Sequence, residues 1–469
     1  MDSNSRKIFQ ENFKEIHPAL RPEEAVVEAN RCLYCYDAPC VKACPTHIEI
    51  PRFIKQIASA DLTGSAKTIF EANAFGHSCA RACPVEVLCE GACVYHDWQE
   101  KPISIALLQR RATDEAHGNE LEPFKPGPDN GFSVAVVGGG PAGLSCASYL
   151  RRLGYAVTVF ERDKNLGGLN THGIAEYKMT RKVSADEVKR ILALGVSVKS
   201  GIEIGRDVSP EDLLTGFDAV FLGIGLGETK RLGIPGETLR GVWDALSFIR
   251  HVKDRDLKPL GQSACTIIIG GGNTAIDAAT QSKRTGAKRV VLAYRRDEED
   301  MSAYDFERAL ARTDGVEFLL NAAPIRVLGK KKVEGVEFAR TAVKNGKVVE
   351  VRGGRHTIEC DRVIKAVGQA KQISVAKALG VDLAPDGRIA VDPRTLRSSH
   401  SKIFAGGDAT SGGKEVVNAA ADGKRAAYGI ERTLRPGAPL PPGNEYWVST
   451  IDGRRVAPIP PRGKEAAHV

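Results

Sequence analysis

Eight of the eleven cysteines of this 469-residue chain fall between Cys32 and Cys93, and that crowding restricts what the first quarter of the chain can fold into more than any other feature. The opening stretch, MDSNSRKIFQENFKEIHPAL, has no apolar core of the length a secretory signal needs. Nowhere does the sequence approach the roughly 18 consecutive apolar residues of a membrane span. A cytoplasmic chain without a membrane anchor is therefore expected, and its thiols stay reduced, so a dense cysteine framework points to metal rather than to disulfides. The first group, Cys32, Cys35, Cys40 and Cys44, reads C-x2-C-x4-C-x3-C-P, and the second, Cys79, Cys83, Cys89 and Cys93, reads C-x3-C-x5-C-x3-C. In runs of the first kind the fourth cysteine crosses over to a second cluster, which leaves each cluster short of ligands until a second group supplies them. Thiolates bind iron well and short spacings let one turn of backbone wrap a compact cluster, so iron-sulfur clusters are expected. Paired four-cysteine zinc sites are the competing reading. Cys146, Cys265 and Cys360 stand alone and read as small buried hydrophobes.

The text between the cysteines has helical spacing, and the helical domain ends near Gly118, before a proline-bearing linker, EPFKPGPDNG. A hydrophobic content of 42% over this length supports several cores, and 48 glycines with only 6% aromatics suit nucleotide-binding α/β sheets. The formal charge of +8 is spread along the chain rather than gathered on one arm, which argues against nucleic acid as a partner. Its densest basic run, Lys330 to Lys332, reads as a solvated hairpin turn.

From Phe132 the pattern changes to FSVAVVGGGPAG, a helix, and the strand YAVTVFE. Gly138, Gly140 and Gly143 form G-x-G-x-x-G between strand and helix, with Pro141 and Ala142 at the helix start and Glu161 ending the next strand. Such glycines allow a pyrophosphate to approach a helix N-terminus, and the carboxylate can bind ribose hydroxyls. Gly167 and Gly168 open a glycine-rich loop, and KIFAGGDA places Asp408 just after a strand. The second fingerprint is Gly270, Gly272 and Ala275, with Asn273 and Thr274 between, followed at the next strand end by Arg295 and Arg296 instead of an acid. Guanidinium groups can pair with the 2′-phosphate that distinguishes NADP from NAD, so NADPH is favoured over NADH, the alternative being surface ion pairs with Asp297, Glu298 and Glu299. Leu169, Gly225, Gly368, Gly407 and Val416 complete the candidate cofactor-binding set.

Hydride chemistry at a nicotinamide and one-electron chemistry at clusters need a flavin between them. A disulfide reductase would need a cysteine pair near the flavin, and outside the N-terminal domain the cysteines are isolated. Nor is there a convincing Ser/His/Asp set, so no catalytic side chain is expected beyond flavin-mediated transfer, and the final substrate is expected to sit elsewhere.

RCLYCYDAPCVKACPTHIEIP, CARACPVEVLCEGAC and ISIALLQR resemble the N-terminal module of dihydropyrimidine dehydrogenase, and GGLNTHGIAEYK, GGGNTAIDAA and AYRRDEEDM extend the resemblance to its bacterial small subunit of the PreT or PydX type, over about residues 24–434. The motifs together read as an α/β chain, a helical iron-sulfur domain at 1–118 and then two Rossmann-like domains, the second inserted in the first, and the resemblance implies that the clusters are two of the 4Fe-4S type. The boundaries are 131–236 and 372–434 for FAD and 237–371 for NAD(P), with a proline-rich tail at 435–469. It also implies one cluster on Cys32, Cys35, Cys40 and Cys93 and another on Cys44, Cys83, Cys89 and the amide of Gln109, with Cys79 not a ligand. Spacing alone does not choose between Gln109 and Cys79. The family's FAD loop places a basic residue, here Lys178, against the flavin, although Ala175 stands where many relatives carry proline; a solvated helix-start lysine is the alternative. The implied partner is a PreA-like subunit with FMN and further clusters that reduces uracil or thymine at the 5,6 double bond, in a hetero-oligomer. The related small subunit of glutamate synthase, which carries a glutamate in place of Gln109 and C-G-x-P in place of the CYDAPC segment, is the other reading.

Overall fold

The computed structural model describes residues 3–438 and resolves two compact units, one of residues 17–170, 182–226 and 371–438, the other of residues 3–16, 171–181 and 227–370. The proline-rich tail expected from residue 435 lies, from 439 onward, outside the described residues. No helix among them is long and apolar enough to cross a membrane.

The first unit opens with the cysteine-rich part, which is helical throughout. Its helices form for local reasons. Pro22, Pro39 and Pro51 sit in first turns, where a missing N–H costs nothing. Asp61 caps Leu62–Ala72 by accepting the Gly64 N–H. Helix Ile50–Ala58 buries Ile50, Phe53, Ile54 and Ile57, one stripe at helical spacing. The same unit then forms a parallel five-stranded sheet in the order Ile403–Ala405, Ala219–Leu222, Ser133–Val137, Ala156–Glu161, Ser197–Ser200. Strand Ala219–Leu222 and residues 134–137 of its neighbour are apolar and buried, as expected where both faces are covered. One core runs from Phe53 and Phe70 of the cysteine-rich helices to Val134, Tyr149 and Tyr428 of the sheet part. The expected linker has no regular structure, yet it is tied down: Gly127 and Asn130 donate to the carbonyls of Arg151 and Gly154, and the Arg152 guanidinium lies over the Phe124 ring.

The second unit is built on another parallel sheet, Val242–Asp244, Arg362–Lys365, Cys265–Ile269, Arg289–Ala293, Glu317–Leu319, with an antiparallel sheet of Ala322–Leu328, Gly335–Lys344 and Lys347–Glu359 beside it. Lys330 to Lys332 are exposed in the turn between the first two of those antiparallel strands. Helix Ser3–Asn12 groups with this unit: Phe9 and Phe13 stack and are buried in a core with Tyr177, Phe248 and Ile249.

Candidate functional site

The structure sorts the eight clustered cysteines into two pockets that do not follow their order in the chain. Cys32, Cys35, Cys40 and Cys93 line one, while Cys44, Cys79, Cys83 and Cys89 line the other together with Gln109. Ile50 is common to both walls. In the second pocket Cys44 and Cys79 are buried; around the first, every cysteine is half-buried, with Leu33 and Tyr36 exposed beside them. Burial pushes the thiols of Cys32, Cys44 and Cys89 up, and Cys40 up to about 12, while Cys83 is raised foremost by its hydrogen bond with Cys79. Iron that binds here must therefore displace protons. Four thiols converging on one pocket fit a cubane cluster, and its net charge would then be screened by protein rather than water. Cys79 accepts from Asn73 Nδ2 at 3.2 Å, and Gln109 Nε2 donates to Gly76 O at 2.6 Å, which leaves the amide oxygen as the atom of Gln109 with ligand character.

The first glycine fingerprint is held by backbone contacts that only glycine permits. Gly138 has φ +102°, and a Cβ at Gly143 would lie 1.9 Å from Gly138 O. Gly140 caps helix Pro141–Arg152, whose first turn presents unpaired N–H groups. Glu161 is anchored at this turn, accepting from Gly139 N at 2.7 Å and Asp163 N at 2.8 Å. Gly168, before Leu169 in helix Leu169–His172, has φ +52° and lies against Gly140. The late segment closes the same site. Gly407 has φ +71° and its N–H donates to Asp422 Oδ2 at 2.9 Å, while Asp408 accepts from Lys414 N at 3.0 Å and burial raises its carboxyl. Helix Val416–Leu434 then packs on Pro141–Arg152 so closely that a Cβ at Gly423 would sit 2.1 Å from Ala142 O. Sequence reasoning passed over Asp422 and Gly423, as it did Gly223, which packs against Gly143 where Gly225 merely takes a positive φ facing open space. Val417, the second residue of that same helix, lines the second cysteine pocket.

The second fingerprint bounds a cavity of about 600 Å³, within the range of roughly 300–1,000 Å³ usual for small-molecule and cofactor sites. Gly270, Gly272, Thr274, Arg295 and Gly368 line it. Lys230 and Arg231, which the sequence alone did not single out, bring two more basic residues to its wall. Ala275 is buried beneath, and Asn273 holds the loop opposite by accepting from Tyr304 N at 3.1 Å. Arg296 is not in the wall; its Nε is buried without a hydrogen-bond partner. Of the acids in the surface ion-pair alternative, Glu298 is engaged by Arg308 and Arg312, and Asp297 accepts from Asn321.

Lys178 is not a solvated helix-start residue. Its Nζ lies 2.7 Å from Asp277 Oδ1 and 2.7 Å from Glu307 Oε1, and these buried carboxylates hold the ammonium in its charged form against the opposing cost of burial. Ala175, in place of proline, is fully buried, and its carbonyl accepts from Lys178 and Met179 N–H.

Two family models match the chain. Residues 9–121 match dihydropyrimidine dehydrogenase domain II, 4Fe-4S cluster, and residues 132–423 match pyridine nucleotide-disulphide oxidoreductase. Among characterised relatives, the glutamate synthase (NADPH) small chain of Escherichia coli K12 is 36% identical over 91% of this chain and 95% of its own length. The NAD-dependent dihydropyrimidine dehydrogenase subunit PreT of Salmonella typhimurium LT2 is 33% identical over 91% of this chain and 98% of its own. Among solved structures, FprA of Mycobacterium tuberculosis in complex with NADPH superposes with a TM-score of 0.54 at 20% identity, covering 69% of this chain and 90% of FprA, which is a likeness of fold.

Proposed function

Because the chain belongs to the pyridine nucleotide-disulphide oxidoreductase family and carries a dihydropyrimidine dehydrogenase-type 4Fe-4S module in front of that fold, we propose that it is the electron-input subunit of a two-component dihydropyrimidine dehydrogenase. It is an NAD(P)H-dependent FAD and iron-sulfur oxidoreductase. The observation that carries the proposal is the shared helix: Val416–Leu434 begins next to the loop of Asp408 and Lys414, and its second residue, Val417, walls the cysteine pocket that also holds Gln109.

When bound, FAD would accept a hydride from the nicotinamide and give up electrons one at a time to two 4Fe-4S clusters. Cys32, Cys35, Cys40 and Cys93 would hold one cluster, and Cys44, Cys83, Cys89 and the Gln109 oxygen the other. Gly138, Gly140 and Gly143 would leave backbone space for the FAD pyrophosphate, Glu161 would offer its remaining lone pairs to a ribose, and Asp408 would hold the ribityl chain. Ile50 joins the two cysteine pockets, and the half-buried rim of the first, beside Leu33 and Tyr36, is the exit toward an FMN-containing partner.

Arg295, with Lys230 and Arg231 of the same cavity wall, reads the 2′-phosphate. Arg295→Ala is expected to raise KM for NADPH by about 10- to 100-fold, the loss of one charge-assisted hydrogen bond of about 1.5–3 kcal/mol, with KM for NADH changed little. An equal change for both cofactors in steady-state kinetics removes Arg295 from that role.

Gln109 and the CYDAPC segment favour the pyrimidine reading, and the 36% identity to a glutamate synthase small chain supplies the second. The test is to purify the chain anaerobically with each type of large subunit and supply NAD(P)H. Formation of dihydrouracil from uracil with the FMN-type partner supports the proposal. Glutamate made from glutamine and 2-oxoglutarate with the amidotransferase-type partner, and no dihydrouracil with the other, replaces it with the second reading.

A further inference from the structure

We infer that Glu187 is a positioning residue that fixes the cysteine-bearing helix Gly76–Ala82, and with it the second cluster pocket, to the flavin-binding part of the same unit. The inference rests on the electron-input reading above and names a residue that nothing in the nucleotide or cysteine motifs assigns.

Helix Gly76–Ala82 carries Cys79 and leads straight into Cys83, and its first carbonyl, Gly76 O, is the acceptor that orients the Gln109 amide. A helix so placed needs its leading N–H groups satisfied. The residue before it, Phe75, offers no side-chain cap. The cap comes instead from more than a hundred residues downstream. Glu187 Oε1 accepts from His77 N at 2.8 Å and from Ser78 N at 3.1 Å, and Oε2 accepts from Ser78 Oγ. Ser78 Oγ in turn takes a hydrogen bond from Asn170 Nδ2 at 3.0 Å, and Asn170 stands two residues after Gly168 in the loop against the first fingerprint. Glu187 belongs to helix Arg181–Leu192, in the stretch that leads to the outer strand of the flavin-type sheet.

This carboxylate is wholly buried, and burial alone pulls it toward its neutral form. Such a group is costly unless its bonds are well made. A nearby serine or aspartate would cap the helix at less cost. Glu187 does something those cannot: it ties the helix to a second element. Arg190, one turn on, balances its charge at 3.9 Å while donating to Ala74 O at 2.6 Å, so the same helix grips the chain on both sides of Phe75.

The test uses the full chain in two states. In the cluster-free chain, Glu187→Ala is expected to speed amide hydrogen exchange of His77 and Ser78 by about 10- to 100-fold while the core of helix Pro141–Arg152 exchanges as before. In the chain loaded with FAD and clusters, rapid mixing with NADPH is expected to bleach the flavin at the wild-type rate and to reduce the clusters about tenfold or more slowly, since small displacements between reacting centres are expensive. Glu187→Gln keeps one acceptor oxygen and is expected to recover part of the loss. Ser78→Ala, which removes one contact and no charge, supplies a milder variant should the alanine variant fail to fold; its exchange at Ser78 is expected to rise and its flavin reduction to stay normal.

Unchanged exchange at His77 and Ser78 overturns the inference. So does a parallel loss of flavin reduction and cluster reduction, which marks Glu187 as a general folding residue. If the wild-type chain itself reduces its flavin and never its clusters, the electron-input reading falls, and the exchange measurement still decides the role of Glu187.

Discussion

Replacing Cys44 and Cys83 together by alanine is expected to leave about four of about eight irons per chain, whereas replacing Cys32 and Cys44 together leaves essentially none. The reasoning is geometric. Cys44 follows Cys40 by four residues, yet it lines the pocket of Cys79, Cys83 and Cys89, while Cys93 joins Cys32, Cys35 and Cys40. A double change within one pocket removes one cluster, and a double change across pockets removes both. If each cluster were instead built from consecutive cysteines, the two results would be exchanged: Cys32 and Cys44 would share a site, and Cys44 and Cys83 would not. Iron and acid-labile sulfide assays on anaerobically reconstituted protein read the answer directly. With the second cluster missing, NAD(P)H should still bleach the flavin, while delivery to any partner should fall by about 100-fold or more, since the shared-helix wall at Val417 then faces no acceptor. Zinc in place of iron in the wild-type chain would end the scheme altogether.

The crossing of Cys44 was legible in the C-x3-C-P run, but its backbone cause was not. A spacing fixes which residues share a turn of backbone, but Cys44 turns away from its neighbours because the chain leaves helix Pro39–Ala43 at that residue in an extended conformation, with ψ near 117°. The choice between Gln109 and Cys79 was equally closed, since both line the second pocket and neither carries a local signature. The nucleotide folds were legible because close backbone approach leaves glycines at fixed intervals: Gly138 and Gly270 both sit at strand ends with positive φ and a carbonyl within 2.4 Å of where a Cβ would be. What those intervals cannot reveal is who holds the loops from afar. Asp422 takes the Gly407 N–H from within the following helix, and Lys178 is claimed by carboxylates of helices Asn273–Arg284 and Asp305–Thr313, partners that sequence separation hides. The packing of helix Ser3–Asn12 is hidden for the same reason: proximity in sequence to the cysteines says nothing about the stack of Phe9 on Phe13 and the core it enters.

Two of the three glycines of the first fingerprint, Gly143 and Gly140, should separate folding from flavin binding when each is changed to valine. At Gly143 the new Cβ would meet Gly138 O at 1.9 Å and Val136 Cγ1 at 3.1 Å. The first of these is backbone in a turn that is itself fixed by a positive φ, so helix Pro141–Arg152 must move off the sheet. Overpacking of that kind costs about 1–3 kcal/mol, and in a unit of this size each kcal/mol lowers Tm by about 2–4 °C. At Gly140 the backbone is extended, with φ −81°, and the nearest atom to a Cβ is Gly168 Cα at 3.9 Å. The cofactor-free chain should therefore tolerate Gly140→Val with Tm unchanged to within about 2 °C. The side chain would instead occupy the space over the helix N-terminus into which a pyrophosphate must come, and FAD affinity is expected to fall by about 100-fold or more. Thermal unfolding of the cofactor-free proteins and titration of FAD by fluorescence quenching measure the two effects separately. A Gly140→Val chain that binds FAD like the wild type would mean that the dinucleotide does not run across this helix start, and the assignment of Glu161 and Asp408 to the same ligand would go with it.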